Sequence, residues 1–529
     1  MRRVLTAACF FGKFLFGCLF LAILIVTHRS ATLIAASESS KTVAGYDEYF
    51  DGDGQVRPIY RSFLKQLLNP RRRLRRKLMA KRPLKDDIGI FPIPLILSDP
   101  ENELIVSGVK QRALAMALFF NDVVLGEGLI LKDKTLDEAL IREIFEDHGW
   151  KLDTLREIWK GKKLSDLNFV DGPDFAHLGP RDWAVIEHNV WHYVGGLSDV
   201  KPIRLAYLRK AFGLGKEKDS TRDPFETFLQ AFKEKNRLDD KDVFVIPFAM
   251  APPGPWEMDD KELIRENETI QNVFPGIQIV RENSLRRLSL FRHAPVFDWG
   301  DPTQLPKRFR ASIYRPYSFH HAGLVLSDLV SRFRAGSFAV LFGIGTDVLG
   351  SKALLPFTET MIHYYLKQDP ILRTQPTKLF DFKNPPEFEN DELVLKRANG
   401  ARGESVHIFK RLSHLERLRR LAEMLNARER ERVRGFPAPL WVQQKYLDQS
   451  IVTLNNMSRT KFLSILRAFV FFNGGDIVAG DVPWGRVAPL SGSGLVNVSR
   501  GAYEQPVFIE SELCLRSLDR LSAKSPFSQ

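Results

Sequence analysis

The stretch ELVLKRANGARGESVHIF, residues 392–409, decides the fold. An apolar run ends on Lys396, a loop carrying Gly400 and Gly403 follows, and VHIF resumes a strand-like pattern. A lysine that closes a strand before a flexible glycine loop can hold nucleotide phosphates. The ammonium meets their charge and the loop amides close over them. Alone, the pattern is equally an ordinary strand end, so its neighbours have to be read with it.

Downstream, PLWVQQKYL (residues 439–447) reads as a strand. LRAFVFFNGGDIVAGDVPWGRVAPL (residues 466–490) reads as a hairpin turning at Asn473-Gly474-Gly475, a pair of glycines that permits positive φ. Upstream, DWAVIEHNVWHYVGG (residues 182–196) alternates apolar residues and stops on two glycines, the pattern of a strand with its tip at residues 189–196. KDVFVIPFAMAPPGP (residues 241–255) is a buried strand broken by prolines. From residue 311 a strand (ASIYRPY), a helix (LVLSDLVSRF), a strand (AVLFGIG) and a long helix through MIHYYL follow in order. Residues 111–124 are expected to be helical and residues 136–159 to form a helical pair. Strands alternating with helices predict an α/β (α+β) protein with mixed sheets flanked by helices.

The order and spacing of these segments resemble the circularly permuted ATP-grasp family of the glutathionylspermidine-synthase-like kind, over most of residues 46–502. YDEYFDGDGQVRP (residues 46–58) is similar to its opening motif. AGSFAVLFGIGTDVLGSKALLPFTETMIHYYLKQDPIL (residues 335–372) is similar to its glycine-rich turn, lysine and Tyr-Tyr-Leu helix. The resemblance implies roles at matching positions: Lys352, Lys396, Gly400 and Gly403 on ATP phosphates, and Gln443, Gln444 and Tyr446 in the strand whose backbone reads adenine. It also implies Glu187 and Asn189 as oxygen ligands of Mg2+, a hard ion that suits a carboxylate and an amide. Arg467 and Arg486 would neutralise an acyl-phosphate, and Tyr314 and Arg315 would meet substrate. The implied activity is ATP-dependent joining of a small-molecule or peptide carboxylate to an amine through an acyl-phosphate. Ala401, Arg402 and Glu404 depart from the family's loop pattern. A catalytically lapsed scaffold therefore stands as the alternative, beside a basic membrane-surface protein.

Composition bounds the remaining choices. The chain has 529 residues, 44% of them hydrophobic and 27% charged, the profile of a folded multi-domain protein rather than a disordered one. Its formal charge of +13 is local in origin. Residues 71–85 hold nine Lys and Arg with no acid, and residues 410–434 hold nine against four Glu. Leu412, Leu415, Leu418, Leu421 and Leu425 are spaced as one helix face, which makes the second group of charges the wet face of an amphipathic helix. No aromatic residues interleave the first group, which disfavours nucleic acid and leaves an anionic membrane surface or a solvated face. Cys9 and Cys18 lie in an N-terminal apolar segment, so three cysteines provide neither a disulfide framework nor a metal cluster.

Residues 1–40, with Arg2 and Arg3 before an apolar run over residues 14–26, read as a signal peptide or signal anchor. That implies a membrane-anchored or extracytoplasmic body, or a cytoplasmic one if translation starts further on. The expected organisation is then residues 41–334 as a pre-ATP-grasp part, residues 335–510 as the nucleotide-binding part, and residues 511–529 as a tail.

Overall fold

In the computed structural model, the strand expected in residues 182–196 is Asp182–Glu187, which forms an antiparallel hairpin with Asp174–Gly179 ahead of it; the tip expected at residues 189–196 lies partly outside the described residues. Phe175, Ala176, Trp183, Ala184 and Val185 are all buried, so both faces of the hairpin are covered. The reversal at its tip is taken by Arg181, at a φ of 60°. The structure describes residues 46–49, 51, 55–61, 89–91, 93–190, 195–212, 221–246, 260–280, 296–297, 310–314, 325–385, 390–400, 405–434, 437–448, 450–453, 461–490, 495–496 and 502–512. The N-terminal segment of residues 1–40, the basic run of residues 71–85, Gly403 and Arg315 lie outside them.

The hairpin is the middle of a seven-stranded sheet. Arg373–Thr374 flanks it on one side; Lys461–Arg467, Trp484–Pro489 and Tyr503–Gln505 follow on the other, with Ile451–Thr453 also on Lys461–Arg467. A second sheet orders Thr377–Leu379, Trp441–Lys445, Leu393–Arg397 and Val406–Ile408, all antiparallel. A third is wholly parallel: Val296–Phe297, Gln278–Val280, Val243–Ile246, Ala311–Tyr314 and Ala339–Val340. Asn168–Asp171 pairs with the hairpin Val470–Asn473 and Asp476–Ala479, whose turn glycines 474 and 475 have φ of 63° and 111°. Parallel and antiparallel ladders flanked by helices make this the mixed α/β protein that the sequence predicts.

The principal helix, Asp99–Phe120, starts where Ser98 and Glu101 close a reciprocal cap, with Ser98 Oγ donating to Glu101 Oε2 at 2.7 Å. It buries Ile105, Val109, Ala113, Met116 and Phe120 at three- and four-residue steps. The expected helix over residues 111–124 is therefore the second half of a longer element, which ends as a π-helical turn, Asn121–Leu125.

Three further expectations are corrected. The long helix through MIHYYL is a succession of a 3-10 turn (Leu355–Phe357), one α-turn (Thr358–Met361) and a π-turn (Ile362–Leu366). The strand read from AVLFGIG is only Ala339–Val340, because glycines 343 and 345 turn the chain, Gly345 with a φ of 77°. The basic helix His414–Val433 exists, but Leu415, Leu418 and Leu425 are exposed and its buried line is Arg417, Leu421 and Met424. Arg417 can take a buried place because it donates to the carbonyls of Phe409 and Leu412 and pairs with Asp391. Among the described residues no helix is long and apolar enough to cross a membrane.

One glycine holds two parts of the fold together. A Cβ on Gly350 would stand 2.7 Å from the backbone nitrogen of Val190 and 3.1 Å from its oxygen, and backbone does not move aside as a side-chain tip does. Gly350→Ala is expected to destabilise by about 1–3 kcal/mol, as overpacking does. An unchanged urea midpoint would show that the turn before Lys352 does not press on the segment after Glu187.

Candidate functional site

Two lysines arrive from different elements. Lys352 follows the 3-10 turn Thr346–Gly350, and its backbone N–H donates to Ala398 O at 3.0 Å while its Nζ donates to Gly400 O at 2.7 Å. The turn is thereby tied to the glycine loop. Lys396 lies near the end of Leu393–Arg397, opposite Val442, and is buried. Glu187 ends its strand with its carboxylate 3.4 Å from Lys352 Nζ.

The third contribution comes from the seven-stranded sheet. Asp174 stands opposite Glu187 on one side and opposite Arg467 on the other. Its carboxylate accepts two hydrogen bonds from Arg467, at 2.7 and 2.8 Å, and one from Arg486 at 2.5 Å. Arg467 also donates to Gly195 O at 3.1 Å, and the Trp484 ring lies 4.7 Å from the Arg486 guanidinium. Six ionisable side chains, Asp174, Glu187, Lys352, Lys396, Arg467 and Arg486, thus form one centre with four cations and two carboxylates.

Electrostatics follow from that imbalance. Burial pushes the Glu187 carboxyl up, but the charges of Lys352, Lys396 and Arg467 outweigh it and hold the group well below the usual carboxylate range. Burial lowers Lys396 to about 8, with Lys352 adding to the shift and Glu187 and Asp174 opposing it. Burial likewise lowers Arg486 to about 10 against the attraction of Asp174, with Arg467 adding to the shift. A buried surplus of positive charge is costly unless an anion completes it, and a polyphosphate or a carboxylate does so.

The residues picked out by sequence fare differently. Lys352, Lys396, Gly400, Glu187, Arg467 and Arg486 are gathered here. Asn189 sits just beyond Glu187, donating through Nδ2 to Gly172 O at 2.9 Å. Gln443 and Gln444 lie in an interior strand paired on both sides, so their backbone is engaged in the sheet. The Tyr446 N–H donates to Glu392 O at 2.5 Å. The Gln444 side chain is buried and bridges sheets, donating to Ile186 O and Thr377 Oγ1, each at 2.9 Å. Tyr314 ends a strand of the parallel sheet, while Arg315 and Gly403 fall outside the described residues. Asp174 was missed. Its signal is the Asp-Gly-Pro-Asp run before the hairpin, which places a carboxylate opposite Glu187 only once the register is known.

Mg2+ fits this donor set. The Glu187 carboxylate and the nearby Asn189 amide are hard oxygen donors, while Asp174 is taken up by Arg467 and Arg486. Among the described residues no cluster of three or more His, Cys, Asp or Glu side chains forms a metal cage. Mg2+ is commonly held by one or two carboxylates together with water and substrate phosphates.

Fold and centre together define a mixed α/β protein with a buried, cation-rich site built from two sheets. Residues 305–488, which carry Lys352, Lys396, Arg467 and Arg486, match the family model for circularly permuted ATP-grasp type 2. The chain is 27% identical to an uncharacterized protein of Synechocystis, over 88% of this chain and 96% of that one. It is 23% identical to an uncharacterized protein of Mycobacterium tuberculosis, over 88% and 84%. A putative glutamate–cysteine ligase of Frankia casuarinae is 24% identical over 88% of this chain, which spans 54% of that longer protein. A solved glutathione synthetase-like effector of Globodera pallida aligns with a TM-score of 0.43 at 11% identity, over 79% of this chain and 89% of that one.

Proposed function

We propose that the protein is an ATP-dependent carboxylate–amine ligase that works through an acyl-phosphate. The observation that carries this reading is the convergence of Lys352, Lys396 and Glu187 with the Asp174–Arg467–Arg486 cluster, from segments up to 312 residues apart. The family match and the ligase name of the Frankia relative support it. A carboxylate is a poor acylating agent at neutral pH, and phosphoryl transfer converts it into a good one. Little covalent work falls to the protein in such a transfer; positioning and charge stabilisation do most of it.

Lys352 and Lys396 meet the phosphate oxygens of ATP, and Arg467 and Arg486 face the charge of the substrate carboxylate and of its phosphorylated form. Glu187 and Asn189 would hold Mg2+, which when bound offsets phosphate charge. The incoming amine displaces phosphate from the acyl carbon, and the departing phosphate takes up the proton that the amine loses. The buried setting keeps water from the activated acyl group.

The test is phosphate release from ATP at several Mg2+ concentrations, with candidate carboxylates and amines, for wild type and Glu187→Gln. The variant keeps shape but removes one of two carboxylates facing four cations. Turnover is expected to fall at least tenfold, and more Mg2+ to be required. Wild-type turnover with unchanged Mg2+ dependence in the variant would remove Glu187 from the site. Nucleotide binding without turnover in the wild type would support the lapsed scaffold instead.

A further inference from the structure

Behind the site lies a buried chain of polar groups that none of the proposed chemistry uses. His188 stands between Glu187 and Asn189 and is buried where its two neighbours are only half-buried. Its Nδ1 lies 2.6 Å from Oδ2 of Asp171, a fully buried carboxylate at the end of the strand Asn168–Asp171. Its Nε2 lies 3.4 Å from Nη1 of Arg112, which is fully buried in the principal helix. Arg112 is held in turn by Leu372 O at 2.6 Å, Thr374 Oγ1 at 2.7 Å and the Glu359 carboxylate at 3.8 Å.

The donor rules fix the direction of the chain. A guanidinium only donates, so the Nε2 facing Arg112 is the acceptor and the ring hydrogen sits on Nδ1, pointing at Asp171. Asp171 Oδ2 is then occupied by the imidazole. Oδ1 is left to accept the backbone N–H of Asn189 at 3.0 Å. The Asn189 segment is further clamped by Gly172, whose N–H donates to Asn189 O at 3.2 Å.

We propose that Asp171, His188 and Arg112 form a positioning relay that sets the aim of Glu187 and Asn189. Arg112 selects the imidazole tautomer, the imidazole holds the Asp171 carboxylate in one orientation, and that carboxylate fixes the backbone of the segment bearing both oxygen donors. These residues touch no reacting atom. They act through the segment, as groups behind a ligand shell do, and loss of such groups commonly costs about 10- to 100-fold in metal affinity. The metal arm of the test rests on the ligase reading; the hydrogen-bond arm does not.

Two substitutions separate the contacts. Asn at position 188 can place an amide N–H where Nδ1–H was, keeping the bond to Asp171. Gln can place an acceptor where Nε2 was, keeping only the bond to Arg112. Mn2+ binding in the presence of AMP-PNP, read by electron paramagnetic resonance, is expected to weaken about 10- to 100-fold in His188→Gln and to stay within a few-fold of wild type in His188→Asn. Without any ligand, hydrogen exchange at the Asn189 amide is expected to accelerate in His188→Gln and to stay protected in His188→Asn. Equal behaviour of the two variants in exchange, whether both protected or both fast, would overturn the relay. A wild type that binds no Mn2+ with AMP-PNP would overturn the ligase reading, and exchange would still decide the relay.

Discussion

Asp174→Ala is expected to cost about 3–5 kcal/mol of stability, the largest effect of any single change at this site. The carboxylate is buried and compensates two buried guanidinia, with Arg467 held at 2.7 and 2.8 Å and Arg486 at 2.5 Å. Removing it leaves two buried cations repelling each other, with Glu187 still attracting both. Asp174→Asn keeps the shape and one acceptor oxygen but not the charge, so it is expected to fall between Ala and wild type. Arg486→Met removes one cation and leaves Asp174 paired with Arg467, and is expected to cost less than either change at position 174. Urea midpoints at one pH rank the four proteins. A loss below about 1 kcal/mol for Asp174→Ala would mean that water reaches the carboxylate and that the triad does not organise the centre.

That triad shows where sequence reasoning stopped. Lys396 was legible from a local pattern, a strand end before a glycine loop, whereas Lys352, Glu187, Arg467 and Arg486 were legible only through the resemblance of their segments to a known family. Asp174 becomes visible only when Asp174–Gly179 is laid against Lys461–Arg467, a pairing that bridges 293 residues. No local period encodes such a register. The Asp171–His188–Arg112 chain was hidden for the same reason, since Arg112 reads as one polar residue on a long helix. The error on the basic helix has another cause. Leucines recur at helical spacing on one side, but burial followed Arg417, whose guanidinium finds carbonyl acceptors, together with Leu421 and Met424. Periodicity says that a helix has two faces; tertiary contacts choose between them.

Lys396→Met is expected to weaken ATP binding about 10- to 150-fold, the equivalent of one charge-assisted hydrogen bond of about 1.5–3 kcal/mol. The fold should survive it. Met fills much the same space, the change removes the repulsion between Lys396 and Lys352, and Glu187 keeps Lys352 3.4 Å away. A melting temperature equal to or above that of wild type is therefore expected. Because burial lowers the free lysine to about 8, its charge is fully present below that pH and is lost as pH rises through it. A bound phosphate favours the protonated form. Wild-type affinity should hold steady up to about pH 8 and then fall, by at most tenfold per pH unit from this one group. Lys396→Met should start lower and lack the step near pH 8, because the group that produces it is gone. The measurement is calorimetric titration with AMP-PNP from pH 7 to 9.5 for both proteins. Equal affinity at pH 7, or an identical pH profile, would place Lys396 outside the phosphate site even if the melting result holds.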